Sequence, residues 1–154
     1  MELHFSGTPE ITAPRDAVWQ KLRDPNFVAA SGPGVESVEP VDPTHYRVIT
    51  ALGIGPVKLR FKLDVELFDI LEGRALKMRA RGVAPGSAVE VLSSLRLEDA
   101  DRGRTRLGWT ATSAFTGAVA GVGARLLEGT ARRLTEQFWT DFARRAGTGG
   151  RQGR

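Results

Sequence analysis

The chain has 154 residues, of which 41% are hydrophobic and 26% charged, a length and composition typical of one soluble globular domain with its own core. Cysteine is absent, which excludes disulfides, thiolate metal ligands and cysteine nucleophiles. The net charge of +4 is modest, and the first residues lack the basic start and apolar run of a signal peptide, so we expect a cytoplasmic protein.

The amino-terminal part predicts a strand followed by two short helices. Residues 2 to 12 alternate weakly between apolar and polar side chains, as a half-buried strand does. In "TAPRDAVWQKL" a threonine can cap a helix, and Pro14 suits its first turn. Residues 26 to 30 add a shorter helix, which ends at the turn "SGPG".

Residues 35 to 115 read as strands joined by turns. The clearest strand is "VKLRFKLDVELF", residues 57 to 68, in which apolar side chains alternate strictly with charged ones. A hairpin centred on Glu72 and Gly73 would place opposite charges across the ladder, so its register is well specified. The predicted pairs are Asp64 with Arg81, Glu66 with Arg79 and Leu67 with Met78.

The chain ends in a long amphipathic helix, predicted from about Gly117 to Arg145. Residues 146–154, which include "GTGGRQGR", have the composition of a disordered basic tail. Residues 1–145 are therefore predicted to form one domain. The apolar stripe of the helix is predicted to contain Leu126, Thr130, Leu134, Phe138 and Phe142.

This order of elements predicts an α+β fold in which a curved, seven-stranded antiparallel sheet surrounds the long helix. A strongly bent sheet and a straight helix cannot touch along their whole length, because side chains bridge only about 10 Å. The gap between them would be a hydrophobic cavity for a small apolar ligand.

The apolar faces of the predicted helices and strands form the predicted wall of that cavity. Any single side chain of this wall could instead simply fill the core. Met78 is the strongest individual candidate, because methionine adapts to irregular ligands. The predicted wall consists of Leu22, Phe27, Val28, Val48, Leu59, Phe61, Leu63, Met78, Leu95, Trp109, Leu126, Leu127, Leu134 and Phe138.

Two glycine-rich segments are predicted to border the entrance. Gly32, Pro33 and Gly34 would form the mouth, since they connect the short helices to the second strand. The other segment contains Gly117, Gly121 and Gly123, where two interpretations remain open. It is either a lid that opens at the start of the long helix, or a place where glycines let the helix pack closely on the sheet.

Few residues in the sequence could perform chemistry. His4 and His45 are both expected at the surface, and no nucleophile–base arrangement is visible. No cluster of histidines and carboxylates suggests a metal site. The sequence therefore favours binding over catalysis, with no resident metal or cofactor.

In four segments the chain resembles the CoxG family, named for the G subunit of carbon monoxide dehydrogenase, within the START-like, or SRPBCC, superfamily that has the helix-grip fold. The segments are "SGTPEITAPRDAVWQKLRDP", "PGVESVEP", "GIGPVKLRFKLDVEL" and "GARLLEGTARRLTEQFWTDF". The resemblance implies a quinone- or lipid-like ligand and a partner such as a molybdenum hydroxylase. It also implies a role in assembly or membrane recruitment of that enzyme, with peripheral contact at the inner face of the membrane.

Two other functions are weighed against this one. A START-like enzyme of the cyclase or hydrolase type would need polar, titratable groups deep in the cavity. A nucleic-acid-binding protein would need exposed aromatic side chains among its basic residues, or a recognition helix, and neither is visible.

Overall fold

A computed structural model describes residues 1–147 and consists of eight strands and three α-helices. Two 3-10 segments, Asp101–Gly103 and Ala118–Val122, precede β8 and α3. The elements are β1 (Glu2–Gly7), β2 (Glu10–Ile11), α1 (Arg15–Leu22), α2 (Pro25–Ala30), β3 (Val35–Asp42), β4 (His45–Ile54), β5 (Val57–Leu71), β6 (Ala75–Ala84), β7 (Ser87–Asp99), β8 (Thr105–Gly117) and α3 (Ala124–Ala146).

All strands belong to one antiparallel sheet with the order β1-β8-β7-β6-β5-β4-β3. The predicted strand over residues 2 to 12 is divided at Thr8 and Pro9, where proline has no N–H for the ladder. Both halves, β1 and β2, pair with β8 in antiparallel fashion. The eight strands therefore occupy seven positions, which agrees with the predicted sheet.

The predicted β5–β6 register is confirmed. Asp64 lies opposite Arg81, Glu66 opposite Arg79 and Leu67 opposite Met78. The pairing of the two strands shifts between Phe68 and Leu71, where Asp69 adopts a φ of +49°. A bulge therefore lies between the regularly paired residues and the turn.

The outward face of the sheet carries ion pairs between neighbouring strands. Arg79 approaches Glu66 at 3.4 Å, whereas Arg81 pairs with Glu90 at 2.8 Å and Asp64 with an arginine of β4. Exposed pairs of this kind contribute little stability individually. Their main effect is on register, because a slip of one residue would turn these charges toward the interior.

The long helix begins later than the sequence predicts. Gly117 is the last residue of β8, residues 118–122 form a 3-10 turn, and α3 starts at Ala124. Gly117 has a φ of +83°, and a Cβ there would lie 2.1 Å from the carbonyl oxygen of Gly86. The close approach of the β6–β7 turn to the end of β8 therefore requires glycine at this position. The predicted tail begins within the helix, since Ala146 belongs to α3, and residues 148–154 lie outside the described residues.

Three separate hydrophobic clusters form the core. The largest joins α1 and the carboxyl end of α3 to the sheet through residues such as Trp19, Leu107 and Phe142. A second contains Phe61, Val119 and Leu127, and a third lies among β4, β5 and β6. Among the described residues, no helix is both long and apolar enough to span a membrane.

The turn between β3 and β4 contains a titratable pair. His45 Nδ1 lies 2.9 Å from Asp42 Oδ1, and His45 Nε2 lies 3.6 Å from a carboxylate oxygen of Glu66. The hydrogen bond to Asp42 raises the pKa of His45 above 6.5, and the same bond lowers the pKa of Asp42 below 3.8. Both side chains are about half exposed, so the turn is a surface feature.

This pair predicts a pH-dependent contribution to stability. Folding raises the pKa of His45, so the protonated imidazole stabilises the folded state. This stabilisation is complete below about pH 6.5 and is lost as the pH rises through the folded-state pKa. We therefore expect His45→Asn to lower the melting temperature more at about pH 5.5 than at about pH 8.5. Melting curves of both proteins across this range test the prediction, which an equal loss at the two pH values would contradict.

Candidate functional site

The middle of α3 stands away from the sheet. Leu127 and Thr130 are buried at the amino-terminal end of the helix, and Phe142 and Ala146 are buried at its carboxyl end. No residue of α3 between Thr130 and Phe142 is fully buried. The helix is thus anchored to the sheet at both ends, with a gap beneath its centre.

Two adjoining compartments fill this gap. The inner compartment has a volume of about 210 Å³ and lies between the sheet and the first half of α3. The outer compartment has about 300 Å³ and extends to the turn at Gly32 and Pro33. Both are bordered by residues of β4, β5, β7, β8 and α3. The shared lining residues are Thr50, Leu52, Leu63, Val91, Ser113, Leu134 and Thr135.

The walls of both compartments are mostly apolar. Within residues 1–147, no Asp, Glu, Lys, Arg or His lines either compartment. Their side-chain polarity comes mainly from hydroxyl groups. Three of these donate to backbone carbonyl oxygens: Thr50 to Pro33 at 2.8 Å, Ser93 to Thr110 at 2.8 Å and Thr135 to Ala131 at 2.7 Å.

The structure places about half of the predicted wall around these compartments. It assigns the others to packed core or surface positions. Those that border the compartments are Val48, Phe61, Leu63, Met78, Leu127, Leu134 and Phe138. Those that do not are Leu22, Phe27, Val28, Leu59, Leu95, Trp109 and Leu126.

The residues outside the cavity have identifiable alternative contacts. Leu22, Leu95 and Trp109 belong to the largest core cluster, against which Phe27 and Val28 pack. The Trp109 ring stacks on the ring of a second tryptophan, at position 139 in α3, with centroids 5.5 Å apart. This second ring lines the outer compartment and therefore stands between Trp109 and the cavity.

Local periodicity predicts Leu59 and Leu126 in the cavity wall, but neither side chain borders the two compartments. Leu59 packs against the second core cluster beside the β4–β5 hairpin. Leu126 is 41% exposed and covers Gly55 in that hairpin. Each residue of an α-helix turns by about 100°, so a side chain four residues later points about 40° away from the first. Over the four such steps from Leu126 to Phe142, the direction changes by about 160°. The predicted stripe therefore could not remain on one face of α3.

Several cavity residues are missing from the predicted wall although a signal for them exists. Trp109 is predicted on the inward face of β8. Side chains two residues apart on a strand point to the same face, so Ala111, Ser113 and Phe115 also face inward. The same rule finds the inward residues of β7. Small or polar side chains at positions 93, 111 and 113 obscure the pattern. The β7 residues concerned are Val89, Val91 and Ser93.

The predicted mouth adjoins the outer compartment, because Gly32 and Pro33 line it. Gly34 completes the turn with a φ of +70°, and its carbonyl accepts a hydrogen bond from the Ala51 N–H at 2.9 Å.

Arg145 of α3 contacts the helix that precedes the turn at Gly32 and Pro33. Its guanidinium donates to the Phe27 carbonyl at 3.1 Å and to the Ser31 hydroxyl at 2.6 Å. The carboxyl end of α3 is therefore tied directly to α2 and to the first residue of the turn.

The glycine-rich segment before α3 matches neither interpretation fully. A Cβ at Gly121 or Gly123 would meet no atom within 4 Å, so the close-packing explanation is wrong for these residues. Val119 is fully buried, and its N–H donates to the Ser87 hydroxyl at 2.9 Å. A lid that moved the whole segment would have to break this anchor.

The other depressions lie outside the two compartments, but one of about 470 Å³ shares Ala111 and Thr135 with the outer compartment and is also lined by Arg132 and Glu136. A depression of about 930 Å³ is lined by outward-facing residues such as Lys77 and Thr110. His4 and His45 are exposed, as expected. Burial raises the pKa of Tyr46 to about 12, but Tyr46 lies in the third core cluster. Among residues 1–147, no group of three or more His, Asp or Glu side chains could hold a metal ion.

Comparison with known proteins agrees with this architecture. The family model for CoxG, described as the G subunit of carbon monoxide dehydrogenase, matches residues 7–147. None of the curated proteins is similar enough to match the chain. A conserved protein from Geobacillus kaustophilus superimposes with a TM-score of 0.84 at 26% identity, covering 94% of this chain and 95% of that one.

More distant structures share the fold. The Zhui aromatase/cyclase from Streptomyces sp. R1128 gives a TM-score of 0.66 at 20% identity, over 97% of this chain and 99% of that one. The TTHA0849 protein from Thermus thermophilus also gives 0.66, at 15% identity, over 94% and 97% of the two chains. Both belong to the helix-grip architecture in which a curved sheet surrounds a long carboxyl-terminal helix.

Replacement of Gly34 tests the backbone constraint at the mouth. A Cβ there would lie 2.0 Å from the Ala51 carbonyl oxygen, whereas a Cβ at Gly73, which also has a positive φ, would meet nothing within 4 Å. We expect Gly73→Ala to cost about 1 kcal/mol through backbone strain alone. Gly34→Ala should cost more than about 3 kcal/mol, because steric conflict is added. Urea unfolding measures both values, and equal losses would contradict the interpretation.

Amide hydrogen exchange tests the proposed lid. The N–H groups of Ala118 and Val119 donate to Gly86 O and to the Ser87 hydroxyl, at 2.8 and 2.9 Å. We expect these two amides to be protected without ligand and the segment from 120 to 123 to exchange sooner. Fast exchange at Val119 would instead support an opening of the entire segment.

Proposed function

The chain belongs to the CoxG family, that of the G subunit of carbon monoxide dehydrogenase, and on this premise we propose that it binds a hydrophobic small molecule in the cavity beneath α3. The ligand is quinone- or lipid-like. The protein acts as an accessory factor for a molybdenum hydroxylase such as carbon monoxide dehydrogenase, in assembly of that enzyme or in its recruitment to the membrane.

One observation carries the binding proposal. The centre of α3 is held away from the sheet, and the space beneath it is lined mainly by apolar side chains. Cavities for small molecules have this character, with a few polar groups that orient the ligand. Phe138 and Trp139 add aromatic surface to the outer compartment, which would suit a flat ring or an isoprenoid chain.

The lining also favours binding over acid–base catalysis. A cyclase or hydrolase needs a group that transfers protons near neutral pH, usually histidine or a carboxylate within hydrogen-bond distance of the substrate. None of these residues in the described part of the chain borders either compartment. The likeness to the Zhui aromatase/cyclase is a likeness of fold at 20% identity and carries no activity with it.

A ligand would enter between α2 and α3, past the turn at Gly32 and Pro33. In this proposal Arg145 holds α2 in place, and ligand exchange requires small movements of the turn. The exposed Leu126 and the neighbouring Arg125 at the start of α3 would contact the inner face of the membrane. An apolar side chain beside a cation suits the interface of an anionic bilayer.

Native mass spectrometry of freshly purified protein, followed by lipid extraction, tests the binding proposal. We expect an adduct of one quinone or other neutral lipid. Ala111→Leu fills part of the outer compartment and should raise the dissociation constant of the ligand about tenfold, the equivalent of about 1.4 kcal/mol, which lowers the bound fraction.

Ala114→Leu is the matched control, because Ala114 lies on the same strand and faces outward beside Glu2 and Glu90. The control should retain the wild-type adduct. An apo mass for the wild type, combined with no rise in melting temperature when quinones or neutral lipids are added, would refute the proposal.

A further inference from the structure

We propose that the inner compartment selects an uncharged ligand that presents a carbonyl or hydroxyl oxygen to the hydroxyl groups of Ser113 and Thr130. This inference rests on the proposed function and specifies which ligand chemistry the cavity accepts. It also assigns an orientation to the ligand, with its oxygen at the inner end and its apolar remainder directed toward the mouth.

The first observation is that these two hydroxyl groups lack partners. Ser113 is 9% exposed and Thr130 is 4% exposed, and both line the inner compartment. Within residues 1–147, neither side chain forms a hydrogen bond with the protein. The other lining hydroxyl groups, those of Thr50, Ser93 and Thr135, each donate to a backbone carbonyl oxygen.

Among the described residues, the fully buried side-chain atoms that lack a hydrogen-bond partner do not include these two oxygens, so they remain accessible from the compartment. A hydroxyl group in an apolar cavity gains from a hydrogen bond to whatever occupies that cavity. Thr130 illustrates the point on α3. A helical threonine commonly donates to the carbonyl four residues earlier, as Thr135 does to Ala131. Thr130 makes no such bond, which leaves its hydroxyl group available to the compartment.

The second observation concerns charge. No cationic side chain in the described part of the chain lines either compartment, so nothing there would neutralise a carboxylate or phosphate. Burying an unpaired anion is far more costly than burying a neutral oxygen. A hydroxyl group can both donate and accept, so Ser113 and Thr130 suit a ketone, a quinone carbonyl or an alcohol.

The arrangement of the compartments determines the direction. Ser113 borders both compartments, Thr130 borders only the inner one, and Gly32 and Pro33 border only the outer one. The inner compartment also adjoins Leu127, a buried residue of the second core cluster. A ligand that enters at the mouth therefore reaches the two hydroxyl groups with its leading end.

The test compares three probes of similar size in displacing the neutral fluorophore N-phenyl-1-naphthylamine from the full chain. Butylbenzene has no oxygen, butyrophenone adds a ketone, and 4-butylbenzoate carries a charge. We expect wild-type protein to bind butyrophenone about threefold to tenfold more tightly than butylbenzene, as one or two hydrogen bonds allow. We expect 4-butylbenzoate to bind most weakly.

The double variant Ser113→Ala/Thr130→Val should lose the preference for the ketone and keep its affinity for butylbenzene. Ser93→Ala is the matched control, because its hydroxyl group also lines the cavity but is committed to Thr110 O. This control should retain the ketone preference. Thr130→Ser in the Ser113→Ala background should restore part of it.

Melting temperatures give a second readout. Removing unpaired hydroxyl groups should leave the double variant at least as stable as wild type, whereas Ser93→Ala should melt lower. An unchanged ketone preference in the double variant, or tighter binding of 4-butylbenzoate, would overturn the inference while ligand binding itself persisted. Failure of the fluorophore and all three probes to bind would instead refute the proposed function, and the inference with it.

Discussion

The structure depends on one geometric constraint: α3 packs on the sheet through Leu127 at one end and through Trp139 and Phe142 toward the other, and not through its centre. Leu127 packs into one hydrophobic cluster and Phe142 into another, and these contacts hold α3 across the concave face of the sheet. Interior side chains of a protein normally fill the available space, so the partly exposed positions between Thr130 and Phe142 are informative. The cavity exists because the anchors at the two ends prevent the middle of the helix from collapsing onto the strands.

The same constraint explains how stability and binding are divided along the chain. The clusters at the two ends of α3 contain fully buried side chains such as Leu107 and Val119, so they supply most of the packing that resists unfolding. Two residues of these clusters, Phe61 and Leu127, also line the inner compartment, so packing and cavity wall overlap there. The turn at Gly32 and Pro33 is restrained, because Arg145 joins α3 to α2 through Phe27 O and the Ser31 hydroxyl. One arginine thus couples the end of the long helix to the turn at which we propose that a ligand enters.

Much of the fold was accessible from the sequence because it rests on local periodicity. The alternation of residues 57 to 68 identified the faces of β5, and the opposite charges at positions 64, 66, 79 and 81 identified its register with β6. About half of the predicted cavity wall, including Leu63, Met78 and Phe138, borders the compartments. The family assignment also followed from segments visible in the sequence.

What the sequence alone determined was the order of elements, the inward face of each strand and the apolar character of the interior, since each depends on residues close together in the chain. Only the tertiary structure decided which inward side chains pack and which border a void. Leu126 rotates out of the stripe and Trp109 stacks behind Trp139, because helix twist and contacts between distant elements determine their surroundings. The free hydroxyl groups of Ser113 and Thr130 belong to the same category: whether a hydroxyl group finds a partner depends on the atoms that folding brings around it.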